Sequence, residues 1–335
     1  MNFQNNRYTL RFAEPADDPG ITEIFTAGSF TGGISVQYLR PHPTASFAAD
    51  GDESRMMVIQ DNEQGRIAAV GGAVVRTEYV QGTPQKMAYL TGLKIHPDYQ
   101  KQIFFIAKAY RFLHDHLQDC ACCYTTILDD NKAVIAMLEK GHKHMPEYRY
   151  LGHYMTYCFH GGKRILPLTR AETNPCVQTM DLTPVRHYLG QGSGQYYAYR
   201  EDGRLRACCY AGDQTAYKQY KIAGYGGMYQ LAAHLPTKLL GYPAFPKPGQ
   251  IIRHGVISAL WVENADPKLC KAFLRSVAAE TGFELLLWGA LESHPLTPAM
   301  AKMRTVHYGS RLYEVLWDGK PTTLHEPIGM EVALL

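Results

Sequence analysis

The sequence has no long apolar run. No stretch approaches the ~20 apolar residues that a membrane-spanning helix needs. The opening residues, from Met1 to Arg7, also lack the apolar centre of a signal peptide. We therefore expect a cytoplasmic protein with no membrane contact.

The sequence also lacks the paired C-x-x-C spacing of a zinc site. Its eight cysteines lie mostly within apolar segments, as at Cys122-Cys123 and Cys208-Cys209. This pattern favours reduced, buried thiols over disulfides or metal ligands. His114 and His116 flank an acidic residue, but side chains two apart on a helix do not share a face. We expect no metal site.

Charge of one sign is not in excess. The chain has 34 Lys plus Arg and 31 Asp plus Glu, giving a formal net charge of +3. This is not the basic footprint of a protein that binds nucleic acid. Hydrophobic residues make up 46% of the composition and charged residues 19%, which is enough apolar material for packed cores. A length of 335 residues suits two domains of the usual size.

Strand and helix patterns alternate in the first half. Residues of high strand propensity and apolar stripes at helical spacing predict, in order, a strand Met87–Ile95, a helix ending near Gln118, a strand Cys120–Leu128 and a helix Lys132–Lys140. Asn131 can cap the last helix and Gly141 can end it.

The second half repeats this order. Its patterns predict a strand Ile251–Val262, a helix Pro267–Thr281, a strand Phe283–Trp288 and a short helix near Leu296–Met303. Each half also has a hairpin signal upstream of these elements. A stretch rich in Gly, Pro and charge, residues 160–175, marks the junction. We expect one domain over residues 1–165 and a second over residues 166–335.

Two motifs in the first half resemble one family. The strand ending at Ile95 is followed by His96-Pro97-Asp98-Tyr99-Gln100-Lys101, and Asn131-Lys132-Ala133 opens the later helix through Glu139-Lys140-Gly141. Both are similar to motifs of the GNAT acyltransferase superfamily, in the expected order. The resemblance implies an α/β fold with mixed sheets, as two GNAT-like domains in tandem.

The resemblance also implies a function. It suggests an N-acyltransferase that uses acetyl-CoA or another acyl-CoA and acts on a primary amine of a small molecule or peptide. In the family, strand backbone faces pantetheine, and amides at a helix N-terminus hold the pyrophosphate, because these amides have no intrahelical partner. The positions that match for pantetheine are Leu93, Lys94, Ile95 and Asn131. Those that match for pyrophosphate are Gln100, Lys101, Gln102, Ile103 and Phe104.

The sequence departs from the family pattern at several positions. Lys101, Ile103 and Phe105 stand where the family has glycines, and Leu138 stands where it often has a tyrosine that acts as general acid. Tyr124 is our candidate substitute for that acid, and Glu78 is our candidate base. A core aromatic and a solvent-facing strand carboxylate are the alternative interpretations of these two residues. Lys101 is either a phosphate ligand or a solvated lysine.

Two other functions stay open. The missing glycines and Leu138 also suit a non-catalytic GNAT-fold protein that binds a ligand or partner. A tandem GNAT aminoacyl transferase using charged transfer RNA is the second alternative, although the near-neutral charge speaks against it. We expect the first half to be the better acyl-CoA site, because only that half keeps the motif residues in order. The oligomeric state stays open.

Overall fold

The computed structural model describes residues 7–27, 33–80, 83–101, 104–141, 145–160, 164–173, 175, 193–317, 320, 324 and 330–335. The described helices are α1 (Asp18–Thr26), α2 (Pro43–Ala48), α3 (Phe104–His116), α4 (Lys132–Lys140), α5 (Met228–Ala232), α6 (Pro267–Thr281) and α7 (Thr297–Ala301). The described strands are β1 (Tyr8–Phe12), β2 (Ile34–Leu39), β3 (Glu53–Asp61), β4 (Arg66–Val80), β5 (Thr83–Ile95), β6 (Cys122–Leu128), β7 (Glu147–Phe159), β8 (Leu168–Ala171), β9 (Ser193–Glu201), β10 (Arg204–Asp213), β11 (Gln219–Tyr225), β12 (His254–Val262), β13 (Leu285–Leu291) and β14 (Val306–Leu316).

Local signals set most of these elements. Both α4 and α6 have the bounds that the sequence predicts. The Asp266 side chain accepts hydrogen bonds from the amides of Lys268 and Leu269 at the start of α6, and Gly282 ends it with a φ of 66°. This is an N-cap followed by a glycine stop. The end of α3 is two residues earlier than expected, at His116.

One mixed sheet runs through both halves. Its twelve strands lie in the order β1-β3-β4-β5-β6-β14-β7-β13-β12-β10-β9-β8. The last strand of each half is exchanged: β14 pairs with β6 of the first half, and β7 pairs with β13 of the second. A two-stranded sheet, β2 with β11, also joins the halves.

The same irregularity occurs once in each half. In the first half, β5 pairs in parallel with β6 only as far as Tyr89 opposite Tyr124. In the second half, β12 pairs with β13 only as far as Val256 opposite Leu287. Three residues beyond each of these points the strand has a residue of positive φ at a register shift, with Gly92 at 70° and Ala259 at 48°. Each is a β-bulge.

Helices cover both faces of the sheet. In the first half, α3 packs on one face, through Phe105, Ala109 and Leu113, and α1 packs on the other, through Ile21, Ile24 and Phe25. In the second half α6 packs through Phe273, Leu274 and Val277. None of the described helices has the length and apolar character needed to cross a bilayer.

Of the seven cysteines that the structure describes, six match the expectation of reduced thiols. Six of them are free thiols: Cys120, Cys122, Cys123, Cys158, Cys209 and Cys270. Cys208 is disulfide-bonded, so the expectation of reduced thiols is wrong at that position. Burial within an apolar strand, from which the expectation was drawn, does not distinguish a packed thiol from a bridged one.

Candidate active site

The first half has a gap in its sheet where β5 and β6 part. Pairing stops at Tyr89, while β5 continues to Ile95 and β6 to Leu128. At the closed end of the gap, Thr125 Oγ1 donates a hydrogen bond of 2.8 Å to the carbonyl of Leu90. We call the space between residues 90–95 and 125–128 the first gap. Such a parting exposes strand backbone that a ligand can pair with.

Gly92 shapes the edge of the first gap. A Cβ at this position would lie 3.1 Å from both Met56 and Phe47, and its φ of 70° belongs to the left-handed region. Only glycine adopts this conformation at low cost. No side-chain hydrogen bond to Gly92 occurs among the described residues. The sequence analysis did not single out Gly92, because it compared the chain with the family's glycine motif only in the turn before α3.

The matching gap in the second half is filled by the chain itself. Residues 332–334 form a 3-10 turn that packs against Val256, Leu287 and Cys158. Glu331 Oε1 accepts a hydrogen bond of 2.8 Å from the amide of Ala259, the bulge residue. The bulge amide therefore faces into the gap, where it binds an anionic oxygen.

An apolar pocket adjoins the outer end of the first gap. It is an open depression between β3, β4, β5 and the first turns of α3. It is lined by Met57, Ile59, Ala69, Val70, Leu93, Ile95, Phe105, Ile106 and Ala109. Leu93 is 42% exposed at its mouth. The pocket lies beside two of the three strand residues that the sequence places against pantetheine.

Two of the predicted cofactor residues, Leu93 and Ile95, line this pocket. Gln100 and Lys101 are exposed in the turn before α3, and the Gln100 amide donates to the carbonyl of Pro97 at 3.4 Å. Lys94 Nζ donates to the carbonyl of Phe25 at 3.2 Å, and burial lowers the pKa of this lysine. Phe104 begins α3. Gln102 and Ile103 lie outside the described residues.

Asn131 and Leu138 are less informative. Asn131 stands at the N-cap position of α4 and is exposed, but its side chain makes no capping hydrogen bond. Leu138 is buried in α4 and packs with Ile127, Ile135 and Tyr313. An aliphatic side chain there has no proton to exchange.

The two predicted catalytic residues are in contact with each other. Tyr124 Oη donates to Glu78 Oε1 at 3.1 Å and accepts from Arg76 Nη1 at 3.1 Å. All three side chains are buried, so Glu78 is not the solvent-facing carboxylate of the alternative interpretation. Burial, and then the Glu78 charge, raise the pKa of Tyr124 well above its ordinary value. The tyrosine therefore holds its proton.

Arg76 ties this pair to two distant segments. Its Nε donates to the carbonyl of Asp50 at 2.8 Å, and its Nη2 donates to the carbonyl of Leu334 at 2.9 Å. The Tyr124–Glu78 pair therefore lies at the closed end of the first gap, beneath residues 331–335. Tyr89 is the β5 residue opposite Tyr124. Gly92 lies three residues beyond Tyr89 on β5, which is about 10 Å at ~3.3 Å per residue.

Two hydroxyls that the sequence analysis missed lie closer to Gly92. Tyr89 Oη and Thr126 Oγ1 are 2.7 Å apart. Continuing the β5–β6 register places Thr126 level with Thr91, next to the bulge. Burial raises the pKa of Tyr89. No motif in the sequence singles out these two residues, because their contact depends on the register of β5 against β6.

A buried ionic cluster covers the same face of the sheet. Asp50 forms ion pairs with Arg40 at 2.5 Å and with Lys218 at 3.0 Å. Burial lowers the pKa of Lys218 to about 7, against the opposing effect of Asp50. Several buried polar atoms nearby have no hydrogen-bond partner among the described residues: Tyr38 Oη, Arg40 Nε, Tyr217 Oη and His254 Nε2. Buried polar atoms without partners call for a water or a ligand.

The described residues contain no group of three His, Cys, Asp or Glu side chains that could hold a metal ion. The chemistry that this site offers uses backbone amides, hydroxyls and one carboxylate.

No protein-family model matches the sequence, and no curated protein matches it. Its fold does match solved structures. N-myristoyltransferase from Saccharomyces cerevisiae with bound myristoyl-CoA is similar at a TM-score of 0.54 and 10% identity, over 95% of this chain and 81% of that one. A proposed acetyltransferase from Pyrococcus horikoshii is similar at a TM-score of 0.56 and 10% identity, over 100% of this chain and 98% of that one.

These likenesses establish the fold. The chain has the mixed α/β fold, the GNAT fold, of the N-acetyltransferases and N-myristoyltransferases to which it is similar. The fold class that the sequence predicted is confirmed. At identities of about 10%, the roles of residues in those proteins do not transfer to this chain. A shared fold does not by itself imply a shared activity.

Proposed function

We propose that the protein is an acyl-CoA-dependent N-acyltransferase whose acyl-CoA site is the first gap. The observation that carries this proposal is the contrast between the two bulges. In the second half the bulge amide already binds a carboxylate of the chain, that of Glu331. In the first half Gly92 has the same position and the same sign of φ. By analogy with the Ala259 amide, we infer that the Gly92 amide binds a ligand oxygen.

A thioester carbonyl is the oxygen that fits. The carbonyl carbon gains a tetrahedral, negatively charged oxygen when an amine attacks it, and a fixed N–H stabilises that charge more than it stabilises the ground state. The amine lone pair forms the new C–N bond, the C–S bond breaks and CoA leaves as a thiolate. The proton lost by the amine balances the proton gained by the thiolate.

The pocket beside Leu93 and Ile95 suits the pantetheine arm. Its apolar lining suits the methylene groups of a narrow chain better than a charged head group. The exposed turn at Gln100 and Lys101 then lies where the arm leaves the protein. We propose that the exposed Lys101 meets a phosphate and replaces the contact that a glycine-rich turn would have provided.

We infer that the acceptor amine approaches from the face that carries Tyr89 and the ionic cluster. The buried polar atoms without partners on that face, including Tyr38 Oη and Arg40 Nε, offer hydrogen bonds to a polar acceptor. Tyr89 and Thr126 are the hydroxyls nearest Gly92 and are candidates to pass the proton. Tyr124 and Glu78, at the closed end, act through Tyr89, whose ring lies 5.4 Å from the Tyr124 ring.

For the acyl group and the acceptor we propose a chemical class and no individual compound. Acetyl-CoA is the simplest donor, and the acceptor is a primary amine of a small molecule or peptide. A non-catalytic binding protein is the second candidate, since Leu138 is buried in the core and Phe105 is packed against β3 and β4.

Calorimetry with acetyl-CoA and a longer acyl-CoA tests the site, and thiol release with a panel of primary amines tests the reaction. We expect Lys101→Ala to weaken CoA binding by about 0.5–1.5 kcal/mol, as for a partly exposed charge on a phosphate. Lys132→Ala, an exposed lysine at the start of α4, is the matched control and leaves affinity unchanged. Binding without thiol release would favour the non-catalytic protein, and no binding of any acyl-CoA would overturn the proposal.

A further inference from the structure

The segment between β11 and β12 carries an exposed apolar surface. It contains α5 and a 3-10 turn, Thr237–Leu240. Among the described residues twelve large hydrophobic side chains are exposed, and six of these fall within fifteen residues of this segment. They are Met228, Leu231, Leu235, Leu239, Leu240 and Tyr242, with exposed fractions from 40% to 84%. We call these six residues the apolar patch.

The patch belongs to a folded segment, residues 225–246, that we call the excursion. Internal contacts hold this segment together. Tyr225 Oη donates to the carbonyl of Pro246 at 2.6 Å, and Thr237 Oγ1 donates to the carbonyl of Pro243 at 2.7 Å. The rings of Tyr229 and Phe245 pack inside it with centroids 5.9 Å apart. The excursion thus has its own interior, yet its leucines point outward. Exposed apolar patches of this kind mark interaction surfaces.

Positive charge surrounds the patch. The sequence has no Asp or Glu from Gln214 to Val262, while the same stretch holds four lysines and one arginine. One of these lysines, Lys218, is buried against Asp50 and adds no surface charge. Lys238 is exposed within the excursion, and Lys247 is exposed directly after it. Arg304 Nη1, from the segment after α7, donates to the carbonyl of Leu240, which places a further cation at the rim.

Exposed apolar side chains with basic residues beside them suit the surface of an anionic bilayer. Leucine and methionine side chains enter the acyl boundary, and lysine and arginine stay at the level of anionic headgroups. A second copy of the chain fits less well, because a two-fold interface would bring like charges together with no carboxylate in the stretch to pair them. Nucleic acid fits less well too, because aliphatic side chains offer no stacking surface.

We propose that the apolar patch docks the protein on anionic membrane surfaces. The sequence analysis expected no membrane contact, because it searched for one long apolar run. The patch instead comes from short apolar groups in α5 and the 3-10 turn. This docking is independent of the acyl-CoA site, since it uses none of the residues around the first gap.

Vesicle flotation tests the proposal. We expect the full chain to float with vesicles of phosphatidylcholine containing about one third phosphatidylserine, and not with phosphatidylcholine alone. Lys238→Glu with Lys247→Glu should weaken binding well over tenfold, since each basic residue near such a surface contributes about fivefold. Raising the salt concentration should weaken it as well.

Two controls make the result specific. Leu231→Gln with Leu239→Gln should abolish flotation, while Gln230→Ser, on the same helix, should leave it unchanged. Lys132→Glu with Lys140→Glu alters the net charge equally on α4, away from the patch, and should have a small effect. All of these side chains are exposed, so thermal unfolding should stay within a few degrees of the parent chain.

Three outcomes would overturn the proposal. The first is no flotation with the anionic vesicles. The second is flotation that the Leu231 and Leu239 substitutions do not change. The third is a stable dimer in solution that those substitutions dissociate, which would assign the patch to contact between copies of the chain.

Discussion

Gly92 joins a structural requirement to the proposed chemistry within one residue. Its φ of 70° puts the backbone in the left-handed region. A side chain at this position would press on Met56 and Phe47, at 3.1 Å from each. Glycine at this position therefore avoids both the cost of a left-handed backbone and the contacts with Met56 and Phe47.

We predict that Gly92→Ala lowers the free energy of unfolding by about 1–2 kcal/mol, because an L-residue in this region costs about that much. Gly282→Ala is the matched control. It has a φ of 66° but meets nothing within 4 Å, so it should lose only the backbone part of that stability. Urea titration measures both. If the first gap is the acyl-CoA site, only Gly92→Ala will also reduce acyl-CoA binding, and equal binding in the two variants would contradict that assignment.

His153 links the two halves through charge. Its Nε2 lies 2.6 Å from Asp129, after β6, and its Nδ1 lies 2.8 Å from Glu292, after β13. Burial lowers the pKa of this histidine, but the two carboxylates outweigh burial and raise the pKa above 6.5. The folded state thus favours the protonated ring. The stabilisation is complete below the unfolded pKa and is lost as the pH rises through the folded pKa.

We therefore predict a pH-dependent effect of His153→Gln. At pH ~6 the substitution should cost about 0.5–1 kcal/mol, since the pair is partly exposed, and near pH ~9 it should cost clearly less. Urea titrations at the two pH values give the difference. His234→Gln, an exposed histidine in the apolar excursion, should show no such difference. A cost that grows with pH would contradict the sign.

Among individual residues, sequence reasoning found candidates by their residue type. It missed residues whose contact depends on how two strands pair. Tyr124 and Glu78 were candidates from their residue type, and the structure brings them within 3.1 Å. Tyr89 and Thr126 carry no motif, because their contact depends on the register of β5 against β6. Register between strands that are 30 residues apart is not encoded in either strand alone.

At the scale of elements, the segment 331–335 distinguishes the two gaps. Its 3-10 turn packs against β12 and β13, and Glu331 supplies the carboxylate for the Ala259 amide. Helices α4 and α6 could be predicted to the residue, because the apolar spacing within them and the glycine after each are local signals. This segment could not be predicted, because its partners lie more than 40 residues away and its own sequence carries no cap or period.

We predict that Glu331→Ala destabilises the protein by about 1–3 kcal/mol, because it leaves the buried amide of Ala259 without an acceptor. Glu331→Gln keeps a carbonyl oxygen at the same place and should recover most of that loss. Urea titration of the two variants gives the comparison. Equal destabilisation by both would show that the charge, rather than the hydrogen bond, holds the segment.

At the scale of the whole molecule, the exchanged strands make the two halves one folding unit. Removing β14 would leave β6 and β7 without a shared neighbour, and removing β7 would leave β13 without its antiparallel partner. The repeated order of elements could be predicted from the sequence, and so could the α/β class. The exchange could not, since each last strand would look equally suited to pairing within its own half.

Two tryptophans report on the two halves separately. Trp317 stacks on His114 of α3, with centroids 5.0 Å apart, in the first half. Trp288 is buried in the second half and lies 6.1 Å from Tyr157. We predict that variants keeping only one of them, with the other and Trp261 replaced by Phe, unfold in urea with transitions that coincide with the circular dichroism of the same variant. The reason is that β14 and β7 cannot lose their pairing in one half without losing it in the other, so the sheet should unfold as one cooperative unit. If the Trp317 signal and the circular dichroism instead followed separate transitions, the halves would be independent domains despite the exchange.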